Sequence, residues 1–266
     1  MIKFLGYLVF LAALAVGAAW YSTDGFGLSF ASRTAARETD VRLLNDLYSH
    51  NPREVQKAEA RVNRLGESAL PTLRAALTTP GGDHQRRKAA LKACVLLEHK
   101  AAPIVAEVAA QLQDPELTEE AAVALSFMGP AAFGPLRAAL TSATAAIRRE
   151  AVRSLGKLKA RAPLDARAIT PLLITAMRDE DHSVRTVAAT YIGIISEQPT
   201  ESIAALVAGL DDPEIEVRRA SATALGSFGE EARPAVAALR KAAGDRDPEL
   251  AREAGRSLIR LEPPRR

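Results

Sequence analysis

Beyond residue 50 the apolar positions come in short blocks with helical spacing, and the blocks repeat. One block carries Val217, Ser221, Leu225 and Phe228, a second Val184, Ala188, Ile192 and Ile195, and a third Ile147, Ala151, Leu155 and Leu158. The spacing i, i+4, i+8, i+11 draws one stripe along a helix of 3.6 residues per turn. Longer stretches also align: in Leu117–Leu140 and Val217–Leu239, Ala124 falls on Ala224, Leu125 on Leu225, Met128 on Phe228 and Gly129 on Gly229. Weaker copies begin at Glu54 and Arg86, and a last half-copy at Leu250. Self-similarity at about 32–37 residues is the mark of a repeat architecture.

Each unit predicts a helix, a short turn that often holds glycine, and a second helix. The second helix opens near a proline, at Pro71, Pro103, Pro135, Pro171 and Pro234, where the missing N–H costs nothing because first-turn donors have no intrahelical partner. Asn51-Pro52, Asp114-Pro115, Asp212-Pro213 and Asp247-Pro248 mark starts of first helices with a capping side chain followed by proline. Glu116, Glu214 and Glu249 add negative charge to the first turn, which the helix dipole favours. Helices of about 12 residues are marginal alone, so their stripes must be buried by stacking on neighbouring units. The expected fold is all-α: a right-handed α-solenoid of about six helical hairpins closed by a half-repeat.

The N-terminus has a different pattern. Phe4 to Tyr21 carries no charge, and as a helix it spans roughly 27 Å, near the thickness of a bilayer core. Lys3 precedes it, and Trp20 and Tyr21 close it at the level of an interfacial aromatic belt. Two readings stand: an uncleaved transmembrane anchor, or a signal peptide cleaved near Gly17-Ala18-Ala19. Either places the rest of the chain across the membrane, on the periplasmic or extracytoplasmic side, with Arg33 and Arg37 opposing that orientation. The expected organisation is residues 1–21 anchor or signal, 22–50 stalk and lead-in helix, 51–262 repeats and 263–266 tail. In the lead-in, Val41, Leu44, Leu47 and Tyr48 fall on one side.

Composition narrows the class. Apolar residues make up 48% and charged residues 25% of the 266, which excludes global disorder. Aromatics are only 5%, so the core must be filled by Leu, Ala, Val and Ile. Net charge of +3 is too small and too mixed in sign for a nucleic-acid binder. The single cysteine, Cys94, sits in an apolar helical stretch and reads as a small core residue; no intrachain disulfide is possible. The abundance of alanine and arginine points to a bacterial source.

The helix-pair length, the aspartate-proline turns and the Val184-Arg185 and Val217-Arg218 helix starts resemble the HEAT-repeat family. The resemblance covers about residues 51–262 and speaks to fold, being nearly silent on function. It implies a structural ladder in which a start arginine of each repeat meets a turn aspartate. Arg87, Arg148, Arg185 and Arg218 match that arginine, while Val55, Thr118 and Ala251 depart from it. HEAT-like hydroxylases hold di-iron through histidine-glutamate pairs, but none of His50, His84, His99 and His182 is followed by Glu. These histidines are read as occupying dissimilar repeat positions, so neither a metal nor another cofactor is expected. Phosphate-loop, nucleophile-elbow and His-Glu-x-x-His signatures are all missing, and the Asp179-Glu180-Asp181 cluster reads as a capped, solvated turn. No catalytic residue is assigned.

A binding surface is what remains. Lys88, Arg149, Arg219 and Arg252 follow the ladder position and would form a discontinuous basic stripe. The fourth repeat carries an insert between Leu158 and Pro171 with Lys159, Arg161 and Arg167, and inserts often map to the binding face of a solenoid. The expectation is a membrane-tethered or exported scaffold for protein partners, without catalysis. A HEAT-like bilin lyase or isomerase acting on a prosthetic group is the competing class. A HEAT-like nucleic-acid binder is less favoured, because the aromatics that would stack on bases are missing.

Overall fold

The computed structural model describes residues 42–161 and 166–262, which form helices joined by short connections, with no strand among them. The expected anchor or signal helix at 1–21, the stalk and lead-in up to residue 41, and the tail 263–266 lie outside the described residues. Among the described residues no helix is long and apolar enough to cross a membrane.

Two units divide the chain between Arg61 and Val62. In the first, residues 42–47 form a short helix that buries Leu43, Leu44 and Leu47. Tyr48, expected on the same apolar side, is exposed because the helix has ended and the chain is turning. Asn51 Oδ1 then accepts the Arg53 N–H at 3.1 Å, and α1 (Pro52–Leu65) begins at the proline; it runs across the division between the units.

The second unit continues with α2 (Leu70–Thr78), α3 (His84–Leu97), α4 (Val105–Ala110), α5 (Thr118–Phe127), α6 (Phe133–Ala139), α7 (Ala145–Arg161), α8 (Ala166–Ala176), α9 (His182–Ile195), α10 (Pro199–Gly209), α11 (Ile215–Leu225), α12 (Val236–Ala243) and α13 (Pro248–Leu261). Within the second unit, and among the described residues, α3 to α12 make five consecutive helix pairs and α13 closes the series. Odd-numbered helices pack in sequence from α3 to α13, and each even-numbered helix from α2 packs against the odd helix that follows it. Two layers result, and the predicted stripes lie between them: Val184, Ala188 and Ile192, Val217, Ser221 and Leu225, and the set from Ile147 to Leu158 are all buried. Ile195, at the very end of α9, is only half-buried.

Close approach within the odd layer depends on a small residue at one repeat position. A Cβ on Gly193 of α9 would lie 2.7 Å from the Ala224 Cα of α11, so any larger side chain must push the two helices apart. Hydroxyls cross the same layer: Ser154 donates to the Ala122 carbonyl at 2.8 Å and Ser257 to Ala222 at 2.7 Å. The turn after α11 holds Gly229 at φ +53°, a left-handed conformation that glycine adopts without a Cβ penalty.

Helix starts differ from expectation in two repeats. α13 begins at Pro248 as predicted, with Asp247 as its cap. α5 and α11 begin only at Thr118 and Ile215, beyond Asp114-Pro115 and Asp212-Pro213. There the aspartates accept the N–H two residues on, from Glu116 at 3.1 Å and Glu214 at 2.9 Å. Asn51, Asp83 and Asp181 make the same bond, and there the helix starts at the next residue; the structure gives no reason for the later start in these two repeats. Pro171 also departs from the pattern, lying inside α8 and not at its opening. The fourth-repeat insert is spent lengthening α7 to 17 residues and starting α8 early, at Ala166.

Candidate functional site

The turns before the odd helices line up along one edge of the second unit, and arginines tie them together. Each does two jobs. Arg148 donates from Nη1 to the carbonyls of Ser142 and Ala143 in the turn before its own helix, and from Nε and Nη2 to both carboxylate oxygens of Asp179 in the next turn, at 2.8 Å each. Arg185 repeats this with the Asp179 and Glu180 carbonyls and with Asp212 at 2.8 and 2.9 Å. Arg87 bonds the Gly82 carbonyl and Asp114.

Arg218 was expected to make the next rung and does only half of it. Its Nη1 donates to the Asp212 and Pro213 carbonyls at 2.8 Å, while Arg219 takes both oxygens of Asp247, with Nε at 2.9 Å. Asp245 stands as far along the chain from Arg218 as Asp212 stands from Arg185, but it is exposed and caps the Asp247 N–H at 2.9 Å. The final turn presents Asp247 instead, and the neighbouring arginine faces it. Val55 leaves the first repeat without a ladder arginine, and the third repeat lacks its rung as well. Thr118 replaces the arginine of the third repeat, and its hydroxyl keeps the local job by donating to the Leu112 carbonyl at 3.0 Å. The following turn has Ser142 in place of aspartate, so no charge is left unpaired.

The electrostatics follow from this wiring. The Arg219 hydrogen bonds hold the Asp247 carboxyl down to about 2, helped by the Leu250 N–H. Burial pushes the carboxyls of Asp179 and Asp212 upward, but the bonds from Arg148 and Arg185 outweigh it and both lie below the ordinary carboxylate value. Cys94 is free and fully buried, its thiol pushed up to about 12 by burial, which makes it inert as a nucleophile.

The residues expected to offer a basic stripe are largely committed. Lys88 pairs with Glu120 at 3.1 Å, Arg149 with Glu150 at 3.1 Å, Lys159 with Glu197 at 3.1 Å and Arg252 with Glu249 at 2.9 Å. Together with Arg219–Asp247, these pairs neutralise the stripe. Arg167 is exposed at the start of α8, and the side chain of Arg161 lies outside the described residues.

The histidines also need correcting. His84 and His182 occupy the same repeat position, the first residue of α3 and of α9, each preceded by a capping aspartate. His84 Nε2 lies 3.0 Å from Asp114. His182 lies with Glu214 and Glu216 in an exposed group whose ligand atoms fall within 4.8 Å of one another. The two histidines are 98 positions apart in sequence and were invisible as equivalents because the intervening repeats carry no histidine there. All three groups of the second cluster are solvent-exposed, with no buried partner orienting them.

Sequence reasoning missed a cleft of about 420 Å³ between the third, fourth and fifth repeats. Val152 of α7 and Val184 of α9, both fully buried, form its floor, and Leu140 and Leu172 its walls. It opens between α6 and α8, which barely meet, whereas α2 meets α4, α4 meets α6 and α8 meets α10. The junction of the third and fourth repeats is also one without a rung. Arg137 and Arg178 stand exposed at the mouth, and neither guanidinium has a hydrogen bond or ion pair among the described residues. The only signal in the sequence was the joint loss of arginine at Thr118 and of aspartate at Ser142.

Comparison with known proteins places this geometry. Solved structures of similar fold include an engineered protein, with TM-score 0.44 and 20% identity over 84% of this chain and 96% of that one. A designed armadillo repeat protein aligns with TM-score 0.41 and 22% identity, covering 82% and 98%. Another, solved in complex with the peptide (KR)4, aligns with TM-score 0.42 and 22% identity over the same shares. No curated protein matches the chain. The family model for HEAT repeats matches residues 133–214 and 203–266, just over half of the chain, and the chain belongs to the HEAT-repeat family.

Proposed function

We propose that this protein is a non-catalytic scaffold that binds a protein partner on its repeat surface and is held at a membrane by Phe4–Tyr21. The observation that carries the reading is the cleft between α6 and α8: an apolar floor open to solvent, with two uncommitted arginines at its mouth. The uncharged N-terminal run and the Lys3 before it support tethering with the repeats outside the cytoplasm.

Affinity purification of the full chain from alkali-washed membranes tests both parts. The expected result is a chain that stays in the membrane pellet and, after gentle extraction, brings down one protein in stoichiometric amount. A soluble chain beginning near Trp20 would replace the anchor with a cleaved signal. A coloured or small-molecule ligand with no protein partner would favour the lyase or isomerase class and overturn the scaffold.

A further inference from the structure

The cleft has a definite chemistry, and it selects a partner. Its base is aliphatic: Val152 and Val184 are fully buried beneath it, and the half-buried Leu140 and Leu172 face it from either side. Three guanidiniums line it, those of Arg137, Arg148 and Arg178, against the single carboxylate of Asp179. Arg148 is engaged by Asp179 through two hydrogen bonds of 2.8 Å and by Glu180 at 3.1 Å, while neither Arg137 nor Arg178 has an ion pair among the described residues. Arg137 projects from α6 and Arg178 from the turn after α8, so the two cations flank the opening. A guanidinium fork matches a carboxylate in geometry as well as charge, and at the rim of an apolar cleft it sets specificity and encounter rate.

Resting on the scaffold reading, we infer that the cleft between α6 and α8 docks an extended acidic segment of the partner protein, an aliphatic side chain entering the floor and flanking Asp or Glu carboxylates engaging Arg137 and Arg178. A basic segment is disfavoured at this mouth by like charge. The missing rung fits the role. A ladder arginine in place of Thr118 would have nothing to bind at Ser142, and the junction is left to be closed by an occupant of the cleft.

The test uses the full chain in detergent and three fluorescein-labelled octapeptides, leucine alternating with glutamate, with glutamine or with lysine, read by fluorescence anisotropy. The glutamate peptide is expected to bind about tenfold or more tightly than the glutamine peptide, with the lysine peptide weakest and the preference shrinking as salt rises. Arg137→Glu/Arg178→Glu should abolish the preference. Arg233→Glu/Arg256→Glu carries the same charge change outside the cleft and should keep it. Thr175→Trp, which places a large side chain at the mouth from the exposed face of α8, should weaken every peptide, with unchanged helical circular dichroism certifying the fold.

Equal or tighter binding of the glutamine or lysine peptide would overturn the inference, as would wild-type affinity in Arg137→Glu/Arg178→Glu or no binding of the glutamate peptide. A concentration-dependent dimer that Thr175→Trp disperses would overturn it too, by placing a second copy in the cleft. Binding of the glutamine peptide as tight as that of the glutamate peptide, and abolished by Thr175→Trp, would refute the acidic partner and leave the scaffold standing. The copurification described above fails or succeeds independently of all these outcomes.

Discussion

Leu225 shows how much of a single residue's fate the repeat pattern decides. It is the central member of the stripe Val217–Phe228 and is fully buried in α11. Leu225→Ala removes apolar area and leaves a cavity the packed layers cannot close, so the expected loss is about 2–5 kcal/mol, measured by denaturant unfolding. A loss within assay error would mean that α11 is not packed as described. Position by position, stripes are legible because burial follows the 3.6-residue period. The choice between Arg218 and Arg219 is not legible in that way. The two are adjacent, chemically identical and both near a turn with two aspartates. Which one makes the rung depends on where Asp247 is presented, and that is set by Asp245 capping the turn ahead of it.

At the scale of elements, the ladder couples each repeat to the next through charge, and its contribution has a direction in pH. Asp247 has its carboxyl held at about 2 in the folded chain by the Arg219 bonds, below the ordinary value of about 3.9. A depressed folded value contributes stability that is complete above the unfolded value and is lost as pH falls through the folded one. The window for Asp247 is therefore about pH 4 down to about pH 2, and Asp179 and Asp212 shift in the same direction. The melting temperature of Asp247→Asn should lie below that of the wild type at pH 6, with the gap narrowing between pH 4 and pH 2. A gap that stays constant across that range would show that the pair contributes no pH-linked stability. The helices themselves were readable in kind but not in extent. Lys157, Leu158, Lys159 and Ala160 are good helix formers, so α7 runs on through what the spacing marked only as an insert. α5 and α11 start three residues past the proline of Asp114-Pro115 and two past that of Asp212-Pro213, whereas α1 and α13 start at theirs, so the Asp-Pro motif marks the turn and not the first helical residue.

For the molecule as a whole, periodicity revealed the stack because every repeat meets the same neighbours. The proposed function rests on a departure from that sameness. The cleft arises where α6 and α8 barely meet and where the third repeat lacks its ladder arginine and the following turn its aspartate. Its two rim arginines come from parts of the chain 41 positions apart that no periodic reading brings together. The charges that were legible, at Lys88, Arg149, Arg219 and Arg252, fell at one repeat position and are spent on ion pairs. The central claim, a scaffold that meets its partner at this cleft, is tested most directly by a photocrosslinking amino acid placed at Thr175, at the mouth, and separately at Thr223, on the exposed face of α11. Illumination in cells should give one discrete protein adduct from position 175, lost when Arg137→Glu/Arg178→Glu is combined with it, and none from position 223. Matching adducts from both positions, or none from position 175, would contradict the account.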